Sequence, residues 1–129
     1  MSIILKYNKK GMSYMLNVQM LIKKNILYVR LDGELDQHTV EDLRIRISEL
    51  IEKYQIRYLV LNFFKLQFMD SSGVGFIIGR YNRLKKTAGG VMLCSLNEHI
   101  RKLVLLSGLN KICRIMRNEE EVNEYLGVA

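Results

Sequence analysis

The run YLVLNFFKLQFMDSSGVGFIIGRY, residues 58 to 81, decides the fold. Its opening, Tyr58 to Phe63, is almost continuously apolar, as expected of a strand covered on both faces. Its second half changes period. Val74, Ile77, Ile78, Tyr81 and Leu84 fall three and four apart and share one helical face. Between the two lie Asp70, Ser71 and Ser72, then Gly73 and Gly75. One polar side chain is enough to cap a helix, and each glycine in a helix interior costs up to about 1 kcal/mol against alanine. Three polar residues and the glycines (Gly79 is a third) therefore need a reason beyond making the helix.

Working outward, the same punctuation repeats. Upstream, Leu16, Val18 and Met20 alternate with polar neighbours, Asn25 signals a turn, and residues 26 to 31 continue the pattern, predicting a hairpin. The stretch Gly33-Glu34-Leu35-Asp36-Gln37-His38-Thr39 breaks the alternation and leads into a helix with Val40, Leu43, Ile47, Leu50, Ile51 and Tyr54 on one face. Its start falls at Asp36 or at His38 to Thr39. Downstream, the second helix is expected to end at Gly89-Gly90, and residues 91 to 94 form a short buried strand. Asn97 caps a third helix that stops at Gly108. Residues 112 to 116 are the last strand. Asn118 and its three following glutamates open a final helix that buries Val122, Tyr125 and Leu126. The order ββαβαβαβα implies an α/β fold: one domain, a mixed and mainly parallel sheet with an antiparallel N-terminal hairpin, and four helices.

Composition is that of a globular domain: 129 residues, 49% hydrophobic and 26% charged. No apolar run reaches the roughly 18 residues of a membrane span, and the first residues do not read as a signal peptide, so a cytoplasmic location is expected. Cys94 and Cys113 lie in apolar runs without metal-ligand spacing and are expected to be buried and reduced. The net charge of +7 is unevenly placed. Six basic residues and no acid fall in residues 1 to 30, whereas the remainder is nearly balanced. That distribution argues against a nucleic-acid-binding face. Residues 1 to 11 read as an N-terminal extension, and residues 12 to 129 as the domain.

In α/β sheets, functional groups gather beyond the carboxyl ends of the strands. Two polar loops qualify here, residues 33 to 39 and 66 to 73. A serine hydrolase would need G-x-S-x-G, which neither Ser71 nor Ser72 satisfies. A phosphate-binding P-loop needs Lys and Ser or Thr after its last glycine, and Gly75-Phe76-Ile77 lacks both. Asp36 and Asp70 have no third metal ligand and read as solvated caps. A modified hydroxyl is the remaining option, because a helix N-terminus favours negative charge. With Asp70 as N-cap, Ser71 takes the first helical position and points outward, while Ser72 turns toward the body of the protein or its own backbone. Gly73, Gly75 and Gly79 either bare a strip for docking or pack closely against a neighbour.

The motifs Gly33-Glu34-Leu35-Asp36-Gln37-His38-Thr39 and Phe68-Met69-Asp70-Ser71-Ser72-Gly73-Val74-Gly75, with Gly79-Arg80-Tyr81 and Ser107-Gly108-Leu109, resemble the STAS family. Within that family they are similar to antagonists of anti-sigma factors of the sporulation type, over about residues 12 to 128. The resemblance implies a partner-switching phosphoprotein with no catalytic residue, metal or cofactor of its own. Ser71 would be phosphorylated by the anti-sigma factor, a serine kinase, using ATP. The unmodified form would bind the ADP-loaded kinase and free the sporulation sigma factor, and a phosphatase would regenerate it. Asp36, Thr39, Asp70, Ser72, Gly73 and Gly75 would dock the kinase. Residues 1 to 11 have no counterpart in the family, which makes them a misassigned start ahead of Met12 or a flexible arm. The alternatives are an antagonist in a general-stress pathway, or a STAS module of another pathway.

Overall fold

The computed structural model describes residues 2–7 and 16–128. Six strands form one sheet: β1 (Ser2–Tyr7), β2 (Leu16–Lys23), β3 (Ile26–Leu35), β4 (Tyr58–Met69), β5 (Gly90–Cys94) and β6 (Arg114–Met116). Their spatial order is their order in sequence. β1, β2 and β3 pair antiparallel, and β3 through β6 run parallel. The four helices are α1 (Val40–Tyr54), α2 (Ser71–Lys85), α3 (Glu98–Ser107) and α4 (Glu119–Leu126). The expected α/β architecture is present, with one strand more. Ser2–Tyr7, assigned from sequence to an extension, pairs with β2 along its outer edge. That edge of β2 otherwise presents unpaired N–H and C=O groups, which a neighbouring strand satisfies. The rest of residues 1 to 11 lies outside the described residues.

Period-two alternation sorts the strands' side chains into two cores. Leu16, Val18, Val29, Leu31, Leu61 and Phe63 face the three connecting helices, with Leu43 and Ile47 of α1, Ile77 of α2 and Val104 of α3. On the opposite face Ile26, Tyr28, Val60, Met92, Cys94 and Met116 pack with Val122 of α4. The apolar start of β4 is thus covered on both sides, as its sequence requires. A polar clamp seats α4. Arg30 grips the Glu119 carboxylate through Nε at 2.9 Å and Nη2 at 2.8 Å, and Asn62 Nδ2 donates to Glu119 at 2.7 Å.

Several boundaries differ from the sequence expectation. β3 continues to Leu35, two register shifts along its pairing with β4 absorbing the break that the sequence showed. Gly33, at φ +123°, holds a conformation that other residues rarely adopt. β4 runs to Met69 because Lys65, Leu66, Phe68 and Met69 still pair with β3. α2 stops at Lys85, short of Gly89-Gly90. Gly89 lies against the Arg57 backbone so closely that a Cβ would come within 1.9 Å of its carbonyl oxygen. β6 shrinks to three residues after a 3-10 turn over Leu109–Lys111. In α2, Phe76 faces inward and Ile78 is partly exposed. In α4, Tyr125 is exposed beneath Arg114, its ring centroid 4.1 Å from the guanidinium.

Candidate functional site

β3 and β4 end in register at Leu35 and Met69, so the two acids that follow them, Asp36 and Asp70, emerge from neighbouring strand ends. A backbone bond from Asp70 N to Leu35 O, 3.3 Å, ties the two turns together. The loop expected over residues 66 to 73 is thereby reduced to one residue. Asp70 goes from strand directly into helix.

Asp70 is the N-cap of α2. Its Oδ1 accepts from Ser72 N at 2.9 Å and Gly73 N at 3.3 Å, satisfying two of the donors that a helix start leaves open. Ser71 follows as the first helical residue. It is exposed, and no hydrogen bond engages its hydroxyl among the described residues. Ser72 is half-buried and turned toward α1. The outward and inward placing expected for the two serines is observed.

The other turn is built from Asp36 and Thr39. Asp36 Oδ1 accepts from His38 N at 2.8 Å, and Asp36 N donates to Thr39 Oγ1 at 3.0 Å. Thr39 Oγ1 also lies 3.0 Å from Glu34 O, where it donates. The hydroxyl is used backward, toward the strand it follows, and α1 starts without a side-chain cap. Asp36 is only 6% exposed and Thr39 1%. Asp36 is therefore not the solvated cap that the sequence suggested. Thr39 offers a partner no surface and acts as a fastener behind the site.

The glycines divide. Gly73 is buried, and a Cβ there would sit 2.5 Å from Met69 Cγ and 3.0 Å from Leu35 O. Its small size serves packing between the helix start and both strand ends. At Gly75 and Gly79 a Cβ would meet nothing within 4 Å. These two leave an open strip along α2. Docking and close packing, both open from sequence for the whole set, each apply to part of it.

Chemically, the site is an exposed hydroxyl at a helix start with a carboxylate on each neighbouring turn. Among the described residues no three His, Cys, Asp or Glu side chains gather as a metal site, and His38 and His99 both lie at exposed positions. Cys94 and Cys113 are free and buried, and burial pushes their thiols up to about 11 and about 12. No helix among the described residues is long and apolar enough to cross a membrane.

Comparison with known proteins places this geometry. The family model for the STAS domain matches residues 17–122. The anti-sigma F factor antagonist of Paenibacillus polymyxa is 41% identical over 104 residues, covering 81% of this chain and 89% of its own. The solved structure of the anti-sigma factor antagonist SpoIIAA in its unphosphorylated form superposes with a TM-score of 0.76 at 34% identity, over 87% of this chain and 98% of that one. The phosphorylated form of the Bacillus cell fate determinant SpoIIAA gives 0.68 at 35% identity, over 84% and 98%. With its sheet, its turn-linked acids and its aspartate-capped serine helix, the chain belongs to the STAS domain family.

Proposed function

We propose that this protein is an anti-sigma factor antagonist switched by phosphorylation of Ser71. The observation that carries the reading is the exposed, unbonded Ser71 hydroxyl on the helix capped by Asp70. It is supported by relatives named as antagonists and by the existence of both a phosphorylated and an unphosphorylated structure of a similar chain. The unmodified protein binds the ADP-loaded anti-sigma factor, a serine kinase, and so releases the sporulation sigma factor. The same kinase, charged with ATP, transfers its γ-phosphoryl to the Ser71 oxygen, whose proton leaves, and ADP remains. A serine phosphatase hydrolyses the phosphoserine, water supplying the serine proton and inorganic phosphate leaving. The protein is a substrate and a ligand, not a catalyst.

Charge supplies the switch. A phosphoserine adds about −1.5 to −2 charges. Here it would stand next to Asp70 and across the turn from Asp36, on the surface that docks. Like-charge crowding and a tightly hydrated group both oppose the interface, whereas the fold tolerates them because a helix N-terminus favours negative charge. Ser72, Gly75 and the two acids form the docking rim, and Gly73 and Thr39 hold it from behind.

Incubation with the kinase and ATP, followed by mass-spectrometric mapping, tests the assignment. Phosphate on Ser71 supports it; phosphate chiefly on Ser72 overturns it. In calorimetric titration against the ADP-loaded kinase, Ser71→Ala is expected to bind like the unmodified protein. Ser71→Asp is expected to bind about 30- to 150-fold more weakly, the equivalent of about 2 to 3 kcal/mol. Equal affinity for the two variants would remove charge at residue 71 as the switch. Titration against a general-stress kinase in parallel separates the sporulation pathway from its relative.

A further inference from the structure

A groove of about 210 Å3 runs between α1 and α2 beside the serines, and its lining includes Glu41, Arg44, Gly75, Phe76, Gly79 and Arg80, two cations against one carboxylate. Ser72 also borders it, so it is continuous with the candidate site. Its charges are unbalanced. Arg44 pairs with Glu41 and Arg83 with Glu52, yet Arg80 has no carboxylate partner among the described residues.

Arg80 is nonetheless held in place. Nη1 donates to Ser48 Oγ at 3.0 Å and reaches the Arg44 carbonyl at 3.4 Å, and the guanidinium stands 5.8 Å from the centre of the Phe76 ring. Nε is buried without an acceptor. Partial burial, with Arg44 and Arg83 nearby, pulls its pKa below the usual guanidinium range, against a smaller opposing effect of the Glu41 carboxylate. A half-buried cation with no carboxylate in direct contact, the Glu41 carboxylate of the same groove being held by Arg44, is a cost to the folded protein. So are Gly75 and Gly79, which no packing inside the chain requires. Both costs fall on the same groove, and an anionic group entering it from outside would offset both.

We propose that the α1–α2 groove is a receptor for a carboxylate side chain of the anti-sigma factor, with Arg80 as its ion-pair partner and the bare strip at Gly75 and Gly79 as its entrance. This rests on the docking of that partner at Ser71. The groove lies beside the modified serine and is separate from it. Arg80 is nine residues further along α2, more than two turns away from Ser71. Arg80 thus acts in recognition whatever the phosphorylation state of Ser71. The guanidinium is oriented before the partner arrives, so little order remains to be imposed on binding.

The test is calorimetry of the full chain against the ADP-loaded kinase encoded in the same genome, at low and high salt. Arg80→Gln is expected to weaken binding about 10- to 100-fold and to flatten its salt dependence. Arg80→Lys, which keeps the charge without the planar fork, recovers part of the loss. Ser48→Asp places a carboxylate where Ser48 Oγ now meets Arg80. It is expected to raise the melting temperature and to weaken the partner by a similar factor, and it decides the matter if Arg80→Gln does not fold. The proposal is overturned if folded Arg80→Gln and Ser48→Asp both bind within about twofold of the parent. Should that happen while Ser71→Asp still fails to bind, the groove fails and the serine switch stands. Should Ser71→Asp bind like the parent while Arg80→Gln does not, the switch fails and the groove stands. A parent that does not bind the kinase overturns both.

Discussion

At the scale of single residues, two glycines one turn-half apart in α2 have opposite reasons to be there. Gly73→Ala drives a Cβ onto Met69 and the Leu35 carbonyl oxygen. The backbone oxygen cannot move aside, and the substitution is expected to cost about 1 to 3 kcal/mol in thermal or denaturant unfolding. Gly75→Ala meets empty space and is expected to stabilise by about 0.4 to 1 kcal/mol. Unfolding curves that place both variants on the same side of the parent would contradict this division. Much of the site could be read from sequence because capping is local: an Asp followed by two serines states its own geometry. The burial of Thr39 and Asp36 could not be read. It depends on a turn that folds back on the strand before it, and the only hint was a threonine three residues after an aspartate. Arg80 was visible merely as part of a motif, since its lack of a directly paired carboxylate depends on what α1 places opposite it.

At the scale of elements, α4 is held to its face of the sheet by one carboxylate as much as by Val122. The hydrogen bonds from Arg30, and next the one from Asn62, hold the Glu119 carboxyl below its ordinary range, against the opposing effect of burial. A depressed folded-state value stabilises the protein above the unfolded pKa, near 4.3 for glutamate, and that contribution disappears as pH falls through the folded value. Unfolding followed from pH 7 down to pH 3 should therefore show an acid limb that Glu119→Gln flattens, with a cost for the variant of about 1 to 3 kcal/mol at neutral pH. An unchanged acid limb would mean that the clamp contributes nothing. The same carboxylate, after burial itself, raises the pKa of the Tyr28 hydroxyl, which donates to Asn123 of α4. Apart from β1, the strands and α-helices were readable from period and caps, and Asn97, Gly108 and Asn118 stand where their chemistry put them. Lengths were less so. The second half of β4 exposes Phe64, Lys65, Gln67 and Phe68, and its strand character comes from pairing with β3, which no local pattern announces.

At the scale of the whole molecule, β1 alters what the N-terminus does. Its backbone pairs with β2 over six residues, so removing residues 1 to 11 is expected to lower the melting temperature by about 3 to 6 °C, on the order of 1 kcal/mol. It should also leave β2 as an open edge, detectable as concentration-dependent association by light scattering. A truncated protein with unchanged melting and mass would show that β1 contributes no stability. Cys94 and Cys113 report on the same global event. Both are buried with raised pKa values, so alkylation in native buffer should proceed at the rate of unfolding, and faster modification would reveal local opening of the sheet.

The strand order has a consequence for synthesis. Each strand lies beside the one made just before it, so a nascent chain leaving the ribosome never has to hold a gap in the sheet for a strand still to come. Growth can proceed outward from the first hairpin, one crossover at a time, with short loops to close and little exposed edge left waiting. The last helix, α4, has to travel back, across β6 and β5, to find Arg30 on β3 and Asn62 on β4. Arrival of the last helix is thus the step that reads whether the whole sheet has been laid down in register.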